Sequence, residues 1–383
     1  MNIIDIGLFS LVALPYAFNF IWAPVIDSLK LPILNGYFGK RCSWIIFLQV
    51  VLSVFLYSLG FSDPKHNLFY TAILAVIISF LSSTMDIALN ALRTDILQPN
   101  QIGPASSIYI IGYRLGMLIA SSGVIYMSVY VSWGILYSAF AVMGLVVAII
   151  IIFLARDFAS YEMVKEKIIF KDSNYKIVNL LNKIIKPIGN WRFIVIILTI
   201  LVLYRIADNF INIMINPFLL HLEFDEYEIA TISKTYGVLT AIMGGLYAGH
   251  IMQNRNIYRC LFIFGVLHVV AHFLFIMQSL LERNTVFLFT VIGLEGFTGG
   301  MTMTAYIALI TSLCKGKYSG TQYSFFSSMM GLSRAIFPAI SGYIVYHYGW
   351  MLFFSFVAIS AIPGLVILYL YFKEEIKGTT SSC

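Results

Sequence analysis

Asp86, Asn90 and Arg93 lie in the stretch STMDIALNALRTDIL at spacings of four and three, so a helix carries all three on one face. A carboxylate, an amide and a guanidinium so placed can hold a proton or meet a charged solute. The stretch continues an apolar run from about Leu68. A charge at the centre of a spanning helix costs about 2.5–3.5 kcal/mol, so an ionisable residue there marks a candidate functional site. Two readings stay open for Asp86. It braces the bundle by pairing with Arg114 on the next helix, or it is a protonation site tuned by burial and a nearby cation.

Six further ionisable residues fall inside apolar runs: Arg114, Arg205, Asp208, Lys234, Glu295 and Arg334. Arg205 and Asp208, in LYRIADNF, are three apart and can pair along one helix face, as a static pair or as one that opens on binding. Lys234, in TISKTYG, is a lone cation in an apolar setting, and Glu228, six residues earlier, lies on another face. Glu295, in GLEGFTGG, sits among glycines that permit close helix approach, and it either pairs with Lys234 or titrates. Guanidinium groups stay charged and grip carboxylates bidentately. Arg114 and Arg334 therefore either hold an anionic substrate or pair with acids of the bundle. Asn90 and Gln322 are assigned to the same substrate site. His268 and His272 are one turn apart within a run. They have the spacing of a metal-binding pair, but no neighbouring acid in the sequence supports one. Packing or polar contacts are the preferred reading, and no metal or cofactor is expected.

The elements that carry these residues follow from composition. Of 383 residues, 60% are hydrophobic and 11% charged, and the mean hydropathy is +0.88. Soluble domains carry about 25% charged residues, so this is an all-α integral membrane protein. Alternating ten-residue strands of a β-barrel are not seen. A span needs roughly 20 apolar residues. Eleven stretches qualify: 7–26, 44–61, 68–92, 104–130, 133–155, 193–217, 229–252, 258–280, 285–313, 321–346 and 350–372.

Positive charge orients them. If loop 27–43 is cytoplasmic, that side holds 18 of the loop and tail Lys and Arg residues and the other side only Lys65 and Arg283. This bias makes the amino terminus external and the carboxyl terminus cytoplasmic. The net charge of +6 is thus topology information, and nucleic acid is not implied. The four cysteines share no metal-ligand spacing and are expected to be reduced on the cytoplasmic side. No cleavable signal is visible.

The basic loop 156–192 divides the chain into a five-helix bundle, 1–155, and a six-helix bundle, 193–373, followed by a tail at 374–383. The loop reads as a linker, with Ile and Leu spacing that would also suit an amphipathic surface helix. At an offset of 220, IAL at 87–89 meets IAL at 307–309, Arg114 meets Arg334 and Tyr16 meets Tyr236. This fits parallel repeats of a transporter with two six-helix halves, so the chain reads as one helix short at its front.

The blocks LFSLVALPYAFNFIWAPVIDS, FGKRCSW, STMDIALNALRTDIL, GYRLGMLIASSG, LYRIADNF, SKTYGVL, GGMTMTAYIALITSLC and GTQYSFFSSMMGLSRA together resemble, in order, the AmpG family of muropeptide permeases. That family belongs to the major facilitator superfamily. The resemblance implies proton-driven import of N-acetylglucosaminyl-1,6-anhydro-N-acetylmuramyl peptides from periplasm to cytoplasm across a Gram-negative inner membrane. It implies that Asp27, Gly39, Lys40 and Arg41 latch the halves at the cytoplasmic gate in the outward-facing state. The family often has an acid where this chain has Asn90 and a Lys where it has Asn19. That leaves Asp86 as the proton carrier of its helix.

The expected protein is a proton symporter, a monomer among membrane lipids. In it Asp86, Glu295 and Asp208 couple the proton, and Arg205 and Lys234 couple the halves. The rivals are a carrier of another anion, of acyl-CoA or nucleotide type, an inactive truncated paralogue, and a membrane-embedded enzyme using His268 and His272.

Overall fold

In the computed structural model, the described residues are 12, 14–63, 66–169, 190–281, 283–336 and 340–373. All regular structure among them is helical. The helices are α1 (Ala23–Ser28), α2 (Lys40–Gly60), α3 (Leu68–Ile96), α4 (Ile102–Leu118), α5 (Trp133–Ile169), α6 (Trp191–Tyr204) and α7 (Ile206–His221). Then follow α8 (Gly237–Met252), α9 (Ile257–Leu280), α10 (Thr285–Leu313), α11 (Ser319–Ile336), α12 (Ser341–Ser360) and α13 (Ile362–Tyr371).

Eight stretches among the described residues are long and apolar enough to cross a bilayer, against the eleven expected. The differences have local causes. Only part of 7–26 is described, as a five-residue helix, Leu14–Phe18, a 3-10 turn and α1. The run 229–252 is divided into a π-helical stretch, Ala230–Tyr236, and α8. The run 321–346 begins in serine-rich α11, which ends at Ile336. Gly349 (φ 75°, ψ 173°) kinks α12 just before the expected start of the next span, in a region that only glycine enters freely. Of the expected linker, 170–189 lies outside the described residues, as does the tail from 374.

The chain packs as two compact units. The first comprises 1–97, 117–189 and 314–328. Its centre is α2, which lies against α3 and α5. Ala23, Ile26, Ile45, Ile87 and Ala88 form a small core there. Gly144 of α5 leaves room for the Gln49 and Ser53 side chains of α2. Trp22 Nε1 donates to Thr84 Oγ1 at 3.1 Å and ties α1 to α3.

The second unit comprises 98–116, 190–313 and 329–383. Phe210, Phe218, Phe275, Phe353 and Phe354 are nearly inaccessible and anchor its core. Gly244 and Gly300 let α8 and α10 approach backbone to backbone, as small residues do in membranes. Between α6 and α7 the helix breaks at Arg205 (φ −102°, ψ 0°), a residue that caps both. Such broken helices expose backbone groups where transporters bind charge.

Candidate functional site

The break at Arg205 organises a buried charged cluster in the second unit. Asp208 stands in the first turn of α7, where the helix dipole favours an anion. Its Oδ2 pairs with the Arg205 guanidinium, as the three-residue spacing predicts. Its Oδ1 faces His268 Nε2 at 2.5 Å and His272 Nε2 at 3.5 Å, both on α9. The two imidazoles are 4.2 Å apart, centre to centre. His268 Nδ1 meets Thr298 Oγ1 of α10 at 2.7 Å. Asp208, His268 and His272 are all buried.

The two histidines are buried in polar contacts, the preferred reading from the sequence, and the fold adds a partner that the sequence did not reveal. Their acid is Asp208, sixty residues away in the chain and supplied by the fold. Ligand atoms of the three residues lie within 4.8 Å of one another, a spacing that would admit a metal ion. The guanidinium on the same carboxylate opposes one, since a divalent cation would join a site already holding a fixed positive charge.

Glu295 is half-buried on α10 and lies within electrostatic range of His272, Asp208, Arg114 and Arg205. Arg114, half-buried on α4, feels Glu295 in turn. Among the described residues no ion pair joins Glu295 to Lys234, which is exposed two residues from buried Ile232 and so on another side of the π-helical stretch. Arg334 is exposed in the last turn of α11. Asn209 Nδ2 donates to Ser333 Oγ at 2.9 Å and fastens α7 to that end of α11.

In the first unit Lys40 and Arg41, two of the residues expected at a gate, gather around Asp27, which has no accessible surface. Arg41 NH1 donates to Asp27 Oδ1 at 2.5 Å, and Arg41 Nε lies 3.4 Å from Asp95 Oδ2. Lys40 Nζ donates to the Asp27 carbonyl at 2.8 Å. Gly39 (φ 73°, ψ 171°) turns the chain into α2 immediately before these cations. Asp27 Oδ2 accepts the Thr321 N–H and hydroxyl, so the carboxylate caps the amino end of α11. Ser319 Oγ donates to Asp95 Oδ1 at 3.0 Å. Asp95, Ser319 and Thr321 were not singled out for this cluster by sequence reasoning, because none carries a local signal for it.

Asp86 is half-buried on α3, two turns from Arg93, and Arg93 lies over the Tyr323 ring at 5.2 Å. Asn90 is buried and its Oδ1 has no hydrogen-bond partner among the described residues. Gln322 is buried too, with Oε1 accepting the Lys315 N–H at 2.7 Å, so it closes the turn before α11.

The model of the Major Facilitator Superfamily matches residues 4–292 and 197–381. The chain is 48% identical over 363 residues to the AmpG 1 chain of Rickettsia bellii, covering 95% of this chain and 88% of that one. It is 31% identical over 365 residues to the anhydromuropeptide permease of Escherichia coli K12, covering 95% and 72%. The chain belongs to the AmpG family of the major facilitator superfamily.

Solved structures agree on the fold of this AmpG-family chain. The human organic anion transporter MFSD10 matches with a TM-score of 0.64 at 13% identity, over 94% of this chain and 82% of that one. A bacterial homologue of the iron transporter ferroportin, in an outward-facing state, matches with 0.65 at 13% identity, over 97% and 91%. The AmpG-family chain is therefore a multi-pass membrane protein of transporter fold.

Proposed function

We propose that this chain imports anhydromuropeptides from periplasm to cytoplasm, as a proton symporter of a bacterial inner membrane with its carboxyl terminus cytoplasmic. The reading rests on one observation above the others, the 31% identity with the Escherichia coli anhydromuropeptide permease along 95% of the chain. The charge distribution supports it. Arg114 and Arg334 meet substrate carboxylates, and Asn90 offers a buried amide oxygen without a hydrogen-bond partner among the described residues. Gln322 reaches substrate only after releasing the Lys315 N–H.

Asp86 and Glu295 bind the proton on their helices, with Asp208 coupled through Arg205. Opening of the Asp27–Arg41–Thr321 cluster frees the amino end of α11, which suits a gate on the cytoplasmic side. The bundles at 1–155 and 193–373 rock past one another in alternating access. The test is uptake of labelled anhydromuropeptide into vesicles holding the protein, with and without an imposed pH gradient. Uptake indifferent to the gradient rejects proton coupling. Competition by acyl-CoA or nucleotide, and none by unlabelled muropeptide, rejects the substrate.

A further inference from the structure

Bond polarity at His268 identifies a proton more specifically than the charge pattern does. The Thr298 hydroxyl lies 2.7 Å from the Leu294 carbonyl, which only accepts, so the hydroxyl proton points there. Thr298 Oγ1 must then accept at its other short contact, from His268 Nδ1, at 2.7 Å. Nδ1 carries a hydrogen. The remaining nitrogen, Nε2, faces Asp208 Oδ1 at 2.5 Å, a hydrogen bond that also needs a proton between its two atoms. His268 and Asp208 together therefore hold one proton more than a neutral imidazole and a bare carboxylate would. Beside them His272 is almost wholly buried, and neither of its ring nitrogens has a hydrogen-bond partner among the described residues. Its Nε2 approaches the same Asp208 oxygen at 3.5 Å.

We propose that His268 and Asp208 bind the transported proton between Nε2 and Oδ1, with Thr298 fixing the imidazole tautomer and His272 as the next acceptor. The inference rests on the proton-symport reading above and, in place of Glu295, assigns the carrier in the second unit to His268 with Asp208, where sequence pattern offered only acids. Release is one proton transfer. The Nε2–H bond of His268 breaks, the proton passes by way of Asp208 Oδ1, and an N–H bond forms at His272 Nε2. No other bond changes. The charged and titratable groups facing the pair are Arg205 on Asp208, Tyr204 on α6, His272 on α9, and Glu295 on α10, with Arg114 beyond it. Helix α12 presents Phe353, Phe354 and Val357 to this core, and α13 presents Leu365 to Gly265 of α9. Arg205 supplies a fixed positive charge, so a substrate carboxylate drawing Arg205 away would change how tightly the proton is held.

The experiment uses the full chain in proteoliposomes and radiolabelled N-acetylglucosaminyl-1,6-anhydro-N-acetylmuramyl peptide. It reads accumulation driven by an imposed pH gradient and, separately, counterflow without a gradient. His268→Gln is expected to lower gradient-driven accumulation at least tenfold while counterflow persists. Accumulation within twofold of the parent, or loss of both activities in a folded variant, overturns the proposal. A parent protein indifferent to the gradient instead rejects the symport reading itself.

A second measurement is independent of transport and of whether that variant folds. Nitrogen-15 spectra of the histidine-labelled parent in lipid, assigned by the resonance that moves in Thr298→Val, should show His268 Nδ1 bearing hydrogen. A bare Nδ1, or tight binding of added zinc at this cluster, overturns the assignment.

Discussion

Thr321 donates both its backbone N–H and its hydroxyl, at 2.7 and 2.6 Å, to one carboxylate oxygen of Asp27, a residue 294 positions earlier. Arg41 holds the other oxygen. One buried acid thus joins a cation in the first turn of α2 to the start of α11.

Thr321→Val keeps the N–H bond and loses the hydroxyl bond. A hydrogen bond to a charged group contributes about 1.5–3 kcal/mol, so thermal unfolding in detergent should show a loss within that range. Asp27→Ala should cost about 3–5 kcal/mol, because buried Arg41 loses the carboxylate oxygen that it holds at 2.5 Å. Equal losses from both substitutions would contradict the assigned bonds.

Arg205 and Asp208 should behave as a coupled pair. Arg205→Met leaves the buried Asp208 carboxylate without its fixed positive charge, with His268 and His272 still beside it, and should destabilise by about 3 kcal/mol. Adding Asp208→Asn should restore part of that loss. A double-mutant cycle on unfolding free energies checks it, and additive effects would show that the ion pair contributes nothing.

The α8–α10 contact should not tolerate a side chain at Gly300. A Cβ there collides with the Ala241 carbonyl, so Gly300→Val should cost about 3 kcal/mol and reduce the folded yield. Gly331 of α11 meets nothing within 4 Å. Gly331→Ala should therefore be neutral or stabilising by about 0.5–1 kcal/mol. Size-exclusion profiles and melting curves of the two variants give the comparison.

Cys314, just past the end of α10, is buried, and burial pushes its thiol well above the usual range. Only the thiolate attacks electrophiles, so the folded protein at pH 7–8 should be nearly inert to maleimide at this position. Peptide mass spectrometry should find labelling at least tenfold faster after unfolding. Equal rates would mean that the segment after Leu313 is open to solvent.

Much of the candidate site was legible along the chain. The three-residue step from Arg205 to Asp208 is a local helical relation, and the ion pair follows from it. The glycines around Glu295 announced a close helix contact, and α10 does meet α8 there through Gly300 and its neighbours. For Lys234 the structure adds its exposed place on the π-helical stretch, because apolar neighbours in sequence do not fix which way a side chain points there. His268 and His272 were set aside for want of an acid nearby, when the acid stood on another helix.

The amino-acid sequence alone determined that this chain is a helical membrane protein, because apolar runs of spanning length leave the backbone no partner but itself. It determined the family through ordered blocks of residues. Only the tertiary structure decided which charges share a partner: Asp27 with Thr321, Asp95 with Ser319, Asp208 with His268. Electrostatic attraction and hydrogen bonding act across a few ångströms of space, and sequence spacing reports that distance only within one helix. Between helices, packing sets it.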